Sequence, residues 1–219
     1  MCGRYTLTAS KEQIEEQLGV QLDDYQPRYN IAPSQPVLSL ISDGENRRAG
    51  YLKWGLVPVW AKDPKIGHKM INARGETVDE KPAFNRLLKR RRCLIVADGF
   101  YEWKRTEEKK KPYRITVNDD IFTFAGLWDR WESDDKEIVS CTILTTEPNE
   151  FMKEIHDRMP VILGGEDRNM WLDPSIEDKD ILTQLIKAYP AKDMDAYEVS
   201  PLVNNPKNET EECISSLAE

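Results

Sequence analysis

The second residue of the chain is a cysteine, and that position gives it chemistry that other cysteines lack. Initiator methionine is generally removed ahead of a small side chain. Removal here leaves Cys2 with a free α-amine and a thiol on adjacent carbons. Such amines titrate near ~7.7–8.0 and thiols near ~8.5, so both have nucleophilic fractions at neutral pH. A 1,2-aminothiol condenses with an aldehyde. The amine forms a Schiff base, and the thiolate closes onto the same carbon to give a thiazolidine. Alternatively, the amine serves as base for the thiol, the logic of N-terminal nucleophile hydrolases. Position alone does not separate these chemistries from a start-site accident.

Five further residue types could serve such a nucleophile or its substrate. Glu102 lies in Phe100-Tyr101-Glu102-Trp103, directly after an apolar run. A carboxyl held between rings is partly desolvated, which raises its pKa and suits it to proton transfer; an outward, solvated glutamate fits the pattern too. His156 titrates near physiological pH, although a cation at a helix C-terminus is also stabilised by the dipole alone. Asn72 and Arg74 could orient a sugar or a phosphate through hydrogen bonds. Trp54, Trp60 and Trp103 could stack on nucleobases, worth roughly 1–3 kcal/mol each, or simply fill a core.

Composition narrows the class. The 219 residues are 39% hydrophobic and 32% charged, enough for one domain with its own core. No stretch approaches the ~18 apolar residues of a membrane span. No apolar signal region follows Met1-Cys2-Gly3-Arg4, so the chain reads as non-secreted and cytoplasmic. The cysteines at 2, 93, 141 and 213 and the histidines at 68 and 156 stand far apart. That spacing suits neither a disulfide framework nor a zinc site, and no metal or cofactor is expected. Cys93 and Cys141 sit in apolar runs as buried thiols. The net charge of −8 disfavours nucleic acid only as a total, because a groove responds to local charge. Lys89-Arg90-Arg91-Arg92 is one basic run, and Lys104, Arg105 and Lys109 to Lys111 nearly form another. Acid gathers in Asp23-Asp24, Asp134-Asp135 and the 209–219 tail.

The elements that must position these residues read as follows. Ser10 with Gln13 is a capping box, opening a short helix through Ile14, Gln17 and Leu18 to Gly19. Strands are expected at 37–42 and 47–54 around the Asp43-Gly44 turn. Residues 55–68 form an ordered loop and 80–90 a helix. A buried strand at 93–97 turns at Asp98-Gly99 into the strand bearing Glu102. Further strands fit 113–118, 121–130 and 138–145, separated by Asn118-Asp119-Asp120 and an acidic 132–137 loop. Pro148 opens a helix reaching His156. A strand at 159–163, helices at 166–172 and 178–188 and a last strand at 194–200 follow, with a loose polar tail from 205. Strands dominate without a regular β-helix-β alternation, so the class is α+β.

Seven ordered blocks then bear a resemblance. They are Met1-Cys2-Gly3-Arg4-Tyr5, Arg28-Tyr29-Asn30-Ile31-Ala32-Pro33, Trp54-Gly55-Leu56-Val57-Pro58-Val59-Trp60 and Ile71-Asn72-Ala73-Arg74-Gly75-Glu76-Thr77. Asp98-Gly99-Phe100-Tyr101-Glu102-Trp103, Ile155-His156-Asp157-Arg158-Met159-Pro160 and Val203-Asn204-Asn205-Pro206-Lys207-Asn208 complete the series. In these the chain resembles the SRAP family, the SOS-response-associated peptidases that shield abasic sites.

The resemblance implies a single domain over 1–208 with a polar acidic tail at 209–219, and strongly curved antiparallel sheets around a barrel-like core with helices outside. It places the family's reactive residues on Cys2, Asn72, Glu102, His156 and Thr145. It implies a monomer that binds single-stranded DNA containing abasic sites, with Arg4, Pro33, Trp60, Arg74, Trp103 and Arg158 lining the channel. The expected product is a thiazolidine, with self-removal of Met1 and weak lyase activity alongside. Two rivals stay open: an N-terminal-cysteine peptidase or amidase, and a non-covalent single-strand binder.

Overall fold

Five apolar-rich strands of this chain close into a ring, and a second sheet brings the N-terminal segment against it. The computed structural model describes residues 2–107, 109–118, 120–133 and 135–217. The expected fate of Met1, the middle of the 118–120 turn, Asp134 of the acidic loop and the last two tail residues lie outside the described residues.

The chain opens with β1 (Tyr5–Leu7), α1 (Lys11–Leu18), β2 (Arg28–Ile31), β3 (Pro36–Ser42) and β4 (Arg47–Trp54). Next come β5 (Asn72–Arg74), α2 (Asn85–Arg90), β6 (Arg92–Ala97), β7 (Gly99–Arg105) and β8 (Lys110–Val117). The hairpin of β9 (Phe122–Ser133) and β10 (Lys136–Thr146) leads to α3 (Glu150–Lys153), β11 (Met159–Pro160) and β12 (Ile162–Leu163). Then α4 (Gly165–Leu172), α5 (Lys179–Gln184) and β13 (Met194–Glu198) precede two short 3-10 turns, Pro201–Asn204 and Glu211–Cys213.

The ring runs β10-β4-β3-β6-β9 and returns to β10, because β9 pairs with both β6 and β10. It is mixed: β4 and β5 run parallel to β10, while the other pairs are antiparallel. Closure removes the open edges that would otherwise invite further pairing. Inside, Tyr5 meets Trp54 and Phe124 with ring centroids 5.5 and 5.6 Å apart. Every residue of β6 is buried. Gly126 on β9 fits this core because a Cβ there would lie 2.2 Å from Ile95 Cδ1. The second sheet, β13-β8-β7-β1-β2, is antiparallel throughout and carries both Glu102 and the entry to Cys2. The α+β class with a barrel-like core is therefore what the fold displays, with the parallel strands added.

Local chemistry explains the ends of elements. Ser10 and Gln13 cap each other reciprocally at α1, which stops at Gly19 in the left-handed region (φ 64°). Several expected boundaries move. Residues 80–84 form turns, and α2 starts only at Asn85, because Pro82 lacks an N–H and restrains the residue before it. The acidic 132–137 segment is no broad loop, since β9 and β10 pair out to Ser133 and Lys136. Asn149 caps α3, which ends at Lys153; His156 lies beyond it, its N–H donating to Met152 O at 2.8 Å. The strand expected at 159–163 is split, β11 pairing with β10 and β12 with β9. The helix expected over 178–188 spans only Lys179–Gln184, and the last strand ends at Glu198.

Two expectations about charge and order change more. The 89–92 run is structural at its end: Arg92 is buried and donates to the carbonyls of Leu88, Lys89, Trp171 and Asp173. Arg91 covers Trp128 at 4.3 Å. The tail over residues 205–217 is not loose. Cys213 is fully buried, Ser216 bridges to Val199, and Glu209 accepts from Arg28, Tyr29 N–H and Asn30 N–H.

Candidate active site at the entry of the N-terminal strand

Antiparallel pairing of β1 with β7 sets the site. Tyr5 faces Phe100, and Tyr101 N–H donates to Arg4 O at 2.9 Å, so the residues ahead of β1 run alongside Glu102. Cys2 is fully buried there, its Sγ 4.0 Å from Arg4 O. From the ring, β5 delivers Asn72, whose Nδ2 donates to Cys2 O at 2.8 Å. Asn72 Oδ1 is buried without a partner among the described residues. His156 Nε2 lies 3.8 Å from Glu102 Oε2. Cys2, Asn72, Glu102 and His156 thus converge.

Hydrogen bonding assigns the histidine tautomer. Arg158 N–H donates to His156 Nδ1 at 3.0 Å, so in the neutral ring Nδ1 accepts and Nε2 carries the proton toward Glu102. The Asp157 carboxylate is also 3.0 Å from Nδ1, but at 90% exposure it is solvated and competes poorly with a fixed backbone donor. Burial lowers the His156 pKa below its ordinary value, keeping the ring neutral near pH 7. Burial lifts Glu102, 3% exposed, to about 7, where it can both give and accept a proton. Burial, reinforced by Glu102, pushes the Cys2 thiol far up, so the resting sulfur is a thiol and reacts only as a neighbour takes its proton.

Thr145 stands one step back. It is fully buried, and its carbonyl and Oγ1 accept from Arg158 at 2.9 and 3.3 Å. The same guanidinium grips Glu76 bidentately at 2.7 and 2.8 Å. Arg4 is similarly committed, donating to Asn30 Oδ1 at 2.8 Å and Val203 O at 2.7 Å. Pro33, half-buried, leads into Ser34, whose left-handed backbone (φ 74°) lets its N–H reach Trp54 O. Trp54 itself is core, fully buried and bonded to Ile71 O, so it is no stacking platform.

Two grooves each include residues of the cluster in their walls. One, of about 810 Å³, has Glu102 and His156 in its wall beside Trp103, Arg105, Lys110 and Lys153. The other, of about 410 Å³, is lined by Asn72, Arg74, Lys81, Phe84 and Trp60, the last 57% exposed. Among the described residues none of Arg74, Lys81, Arg105, Lys110 and Lys153 forms an ion pair with a carboxylate. Lys81 and Lys153 were not singled out by sequence; neither lies in a basic run. Lys110 was visible only as part of one, until pairing with Arg105 across β7 and β8 put both at the groove. Among the described residues no three His, Cys, Asp or Glu side chains are placed to hold a metal ion, and no helix is long and apolar enough to cross a membrane.

The fold defines a class of α+β barrel already represented by solved structures. One from Bacteroides thetaiotaomicron superposes with a TM-score of 0.88 at 28% identity, covering 98% of this chain and 99% of that one. The model of the SOS response associated peptidase (SRAP) family matches residues 1–206, and the chain belongs to that family. The abasic site processing protein YoqW of Bacillus subtilis is 51% identical, over 99% of this chain and all of its own length. The abasic site processing protein HMCES of Xenopus tropicalis is 34% identical, over 89% of this chain and 68% of its own.

Proposed function

We propose that this protein bonds covalently through Cys2, freed by loss of Met1, to abasic sites in single-stranded DNA. The observation that carries the reading is Asn72 holding the Cys2 carbonyl at 2.8 Å beside a carboxyl that titrates near neutrality. An amine and thiol so held, between grooves whose cations pair with no carboxylate among the described residues, suit an aldehyde flanked by phosphates. The relatives' names point to the same substrate.

The ring-opened abasic sugar presents an aldehyde. The Cys2 amine adds to its carbon, giving a carbinolamine after proton transfer. Glu102, in its protonated form, gives a proton to the departing hydroxyl, and water leaves as the Schiff base forms. The Glu102 carboxylate then takes the thiol proton and regains its acid form, while sulfur adds to the protonated Schiff-base carbon and the C=N electron pair returns to nitrogen, which keeps its own proton. One water is lost overall. Asn72 fixes the nucleophile, and His156 Nε2–H faces the sugar and Glu102. Positioning of this kind supplies much of the rate. A Schiff base that fails to close can undergo β-elimination, so weak lyase activity is the expected side reaction. Trp60 and Trp103 stack on bases, Arg74 meets the backbone, and Arg158 holds Thr145 and Glu76 in place beside it.

A denaturing gel of the mature protein with an abasic oligonucleotide tests the reading. The expected result is a heat-stable shifted band in one-to-one yield. Absence of that band, with repeated turnover of added peptides instead, would establish a peptidase.

A further inference from the structure

We propose that the C-terminal segment from Val203 to Cys213 is part of the reaction machinery, holding Cys2 in place through Asn30 and Arg4. This rests on Cys2 being the reacting residue. The path of hydrogen bonds is continuous. Asn30, fully buried on β2, donates from its one amide group to Val203 O, Asn205 O and Asn208 O at 3.3, 3.1 and 2.8 Å. Its Oδ1 accepts from the Arg4 guanidinium, which also donates to Val203 O. Arg4 is two residues from Cys2, and its carbonyl faces the Cys2 sulfur.

The segment is clamped from its outer side as well. Glu209 accepts from Arg28 and from the backbone N–H groups of Tyr29 and Asn30. Tyr101 OH joins Tyr29 O to Cys213 O, and Trp103 Nε1 donates to Asn204 Oδ1 at 2.7 Å. These contacts meet the open edge of β2, the last strand of its sheet. They satisfy edge groups that would otherwise face solvent. Short strands cannot fix their own ends. β1 has three residues, so the position of Cys2 ahead of it depends on what grips Arg4. Asn30 and Glu209 are positioning residues: neither reaches the reacting atoms, and both act through Arg4.

The test is kinetic, on the full-length mature protein. Asn30→Asp keeps an acceptor for Arg4 but replaces three donations with a repelling carboxylate. Glu209→Ala removes the clamp, and Glu209→Gln keeps one amide oxygen to accept from both the Tyr29 and Asn30 N–H groups, as Oε1 does. Adduct rates are measured against abasic-oligonucleotide concentration, alongside iodoacetamide labelling of each cysteine read by peptide mass. A misplacement of about 1 Å costs about 100-fold. Asn30→Asp and Glu209→Ala are expected to lower the maximal rate by about 10–100-fold, with half-saturating DNA concentration unchanged and Glu209→Gln largely restored. Iodoacetamide labelling of Cys2 should rise, with Cys93 and Cys141 still protected, which global unfolding would not produce. Wild-type maximal rate and unchanged Cys2 labelling in a folded Glu209→Ala protein overturn the proposal, even if Asn30→Asp does not fold. Should the wild-type protein give no adduct, the covalent reading fails, and Cys2 labelling alone decides whether the segment positions it.

Discussion

Asn72 Nδ2 and Cys2 O, 70 residues apart in the chain, meet at 2.8 Å across the junction of the ring and the second sheet. The contact ties the reactive end of the chain to β5, whose register is fixed by parallel pairing with β10. Asn72→Ala removes the donor that fixes Cys2. Adduct formation should slow by about 100-fold, and DNA affinity should change little; stopped reactions on denaturing gels against fluorescence binding isotherms separate the two.

Glu102→Gln keeps shape and hydrogen bonding but cannot titrate. Loss of general acid–base catalysis typically costs about 10²–10⁴-fold, so adduct formation should fall by that order. The limb of the pH–rate profile near 7 should disappear with it. His156→Ala should slow the reaction less and retain that limb. A Glu102→Gln protein that reacts at the wild-type rate across the series would make Glu102 structural.

The same carboxyl should write its pKa into stability. The folded state favours protonated Glu102 because burial raises its pKa to about 7. Its contribution is fully present below the ordinary carboxyl range near ~4.3 and is lost as pH rises through 7, because the unfolded chain ionises first. Glu102→Gln should therefore gain on wild type between pH 4 and 8, by on the order of 3 kcal/mol. Denaturant titrations at the two pH values measure this, and a constant difference would contradict the buried-acid assignment.

Arg74→Glu at the Trp60 groove should weaken binding to all single-strand sequences alike and flatten the salt dependence. The log–log slope should shrink by about 0.7 for each phosphate that is no longer neutralised. Fluorescence titrations at several salt concentrations provide the check.

Arg92→Met should behave oppositely. Removing a buried guanidinium strands four carbonyl groups. The expected cost is about 2–4 kcal/mol in stability, with adduct rate per folded molecule unchanged. Thermal melts beside gel assays test it.

Arg92 also marks where sequence stops being legible. A basic run does not say which side chain turns inward; that depends on α4 ending beside β6, a tertiary fact. The strands with alternating or apolar runs, such as β3, β6 and β9, were readable because their pattern reflects burial of their own residues. The three- and four-residue strands β1, β2 and β5 carry too few residues for a period, yet they deliver Cys2, Asn30 and Asn72. Glu102 was readable as a carboxyl among rings, and its burial agrees. His156 reads from sequence as the end of a helix, but that helix is capped by Asn149 and stops at Lys153, three residues earlier. The tail looked loose from its polarity; its acid and amide groups instead bond the β2 edge. Cations at the grooves gather from β5, β7, β8, α3 and the turn at Lys81, which no linear spacing connects.

The central claim is that both nucleophiles of Cys2 end on one carbon of the abasic sugar, and peptide mass spectrometry of the purified adduct tests it most directly. After digestion with nuclease and protease, the peptide beginning at Cys2 should carry the sugar remnant less one water. Its sulfur should resist iodoacetamide, and the adduct should persist without borohydride. A peptide with that remnant but an alkylatable thiol, stable only after borohydride reduction, would leave the amine as the sole attachment and contradict the thiazolidine.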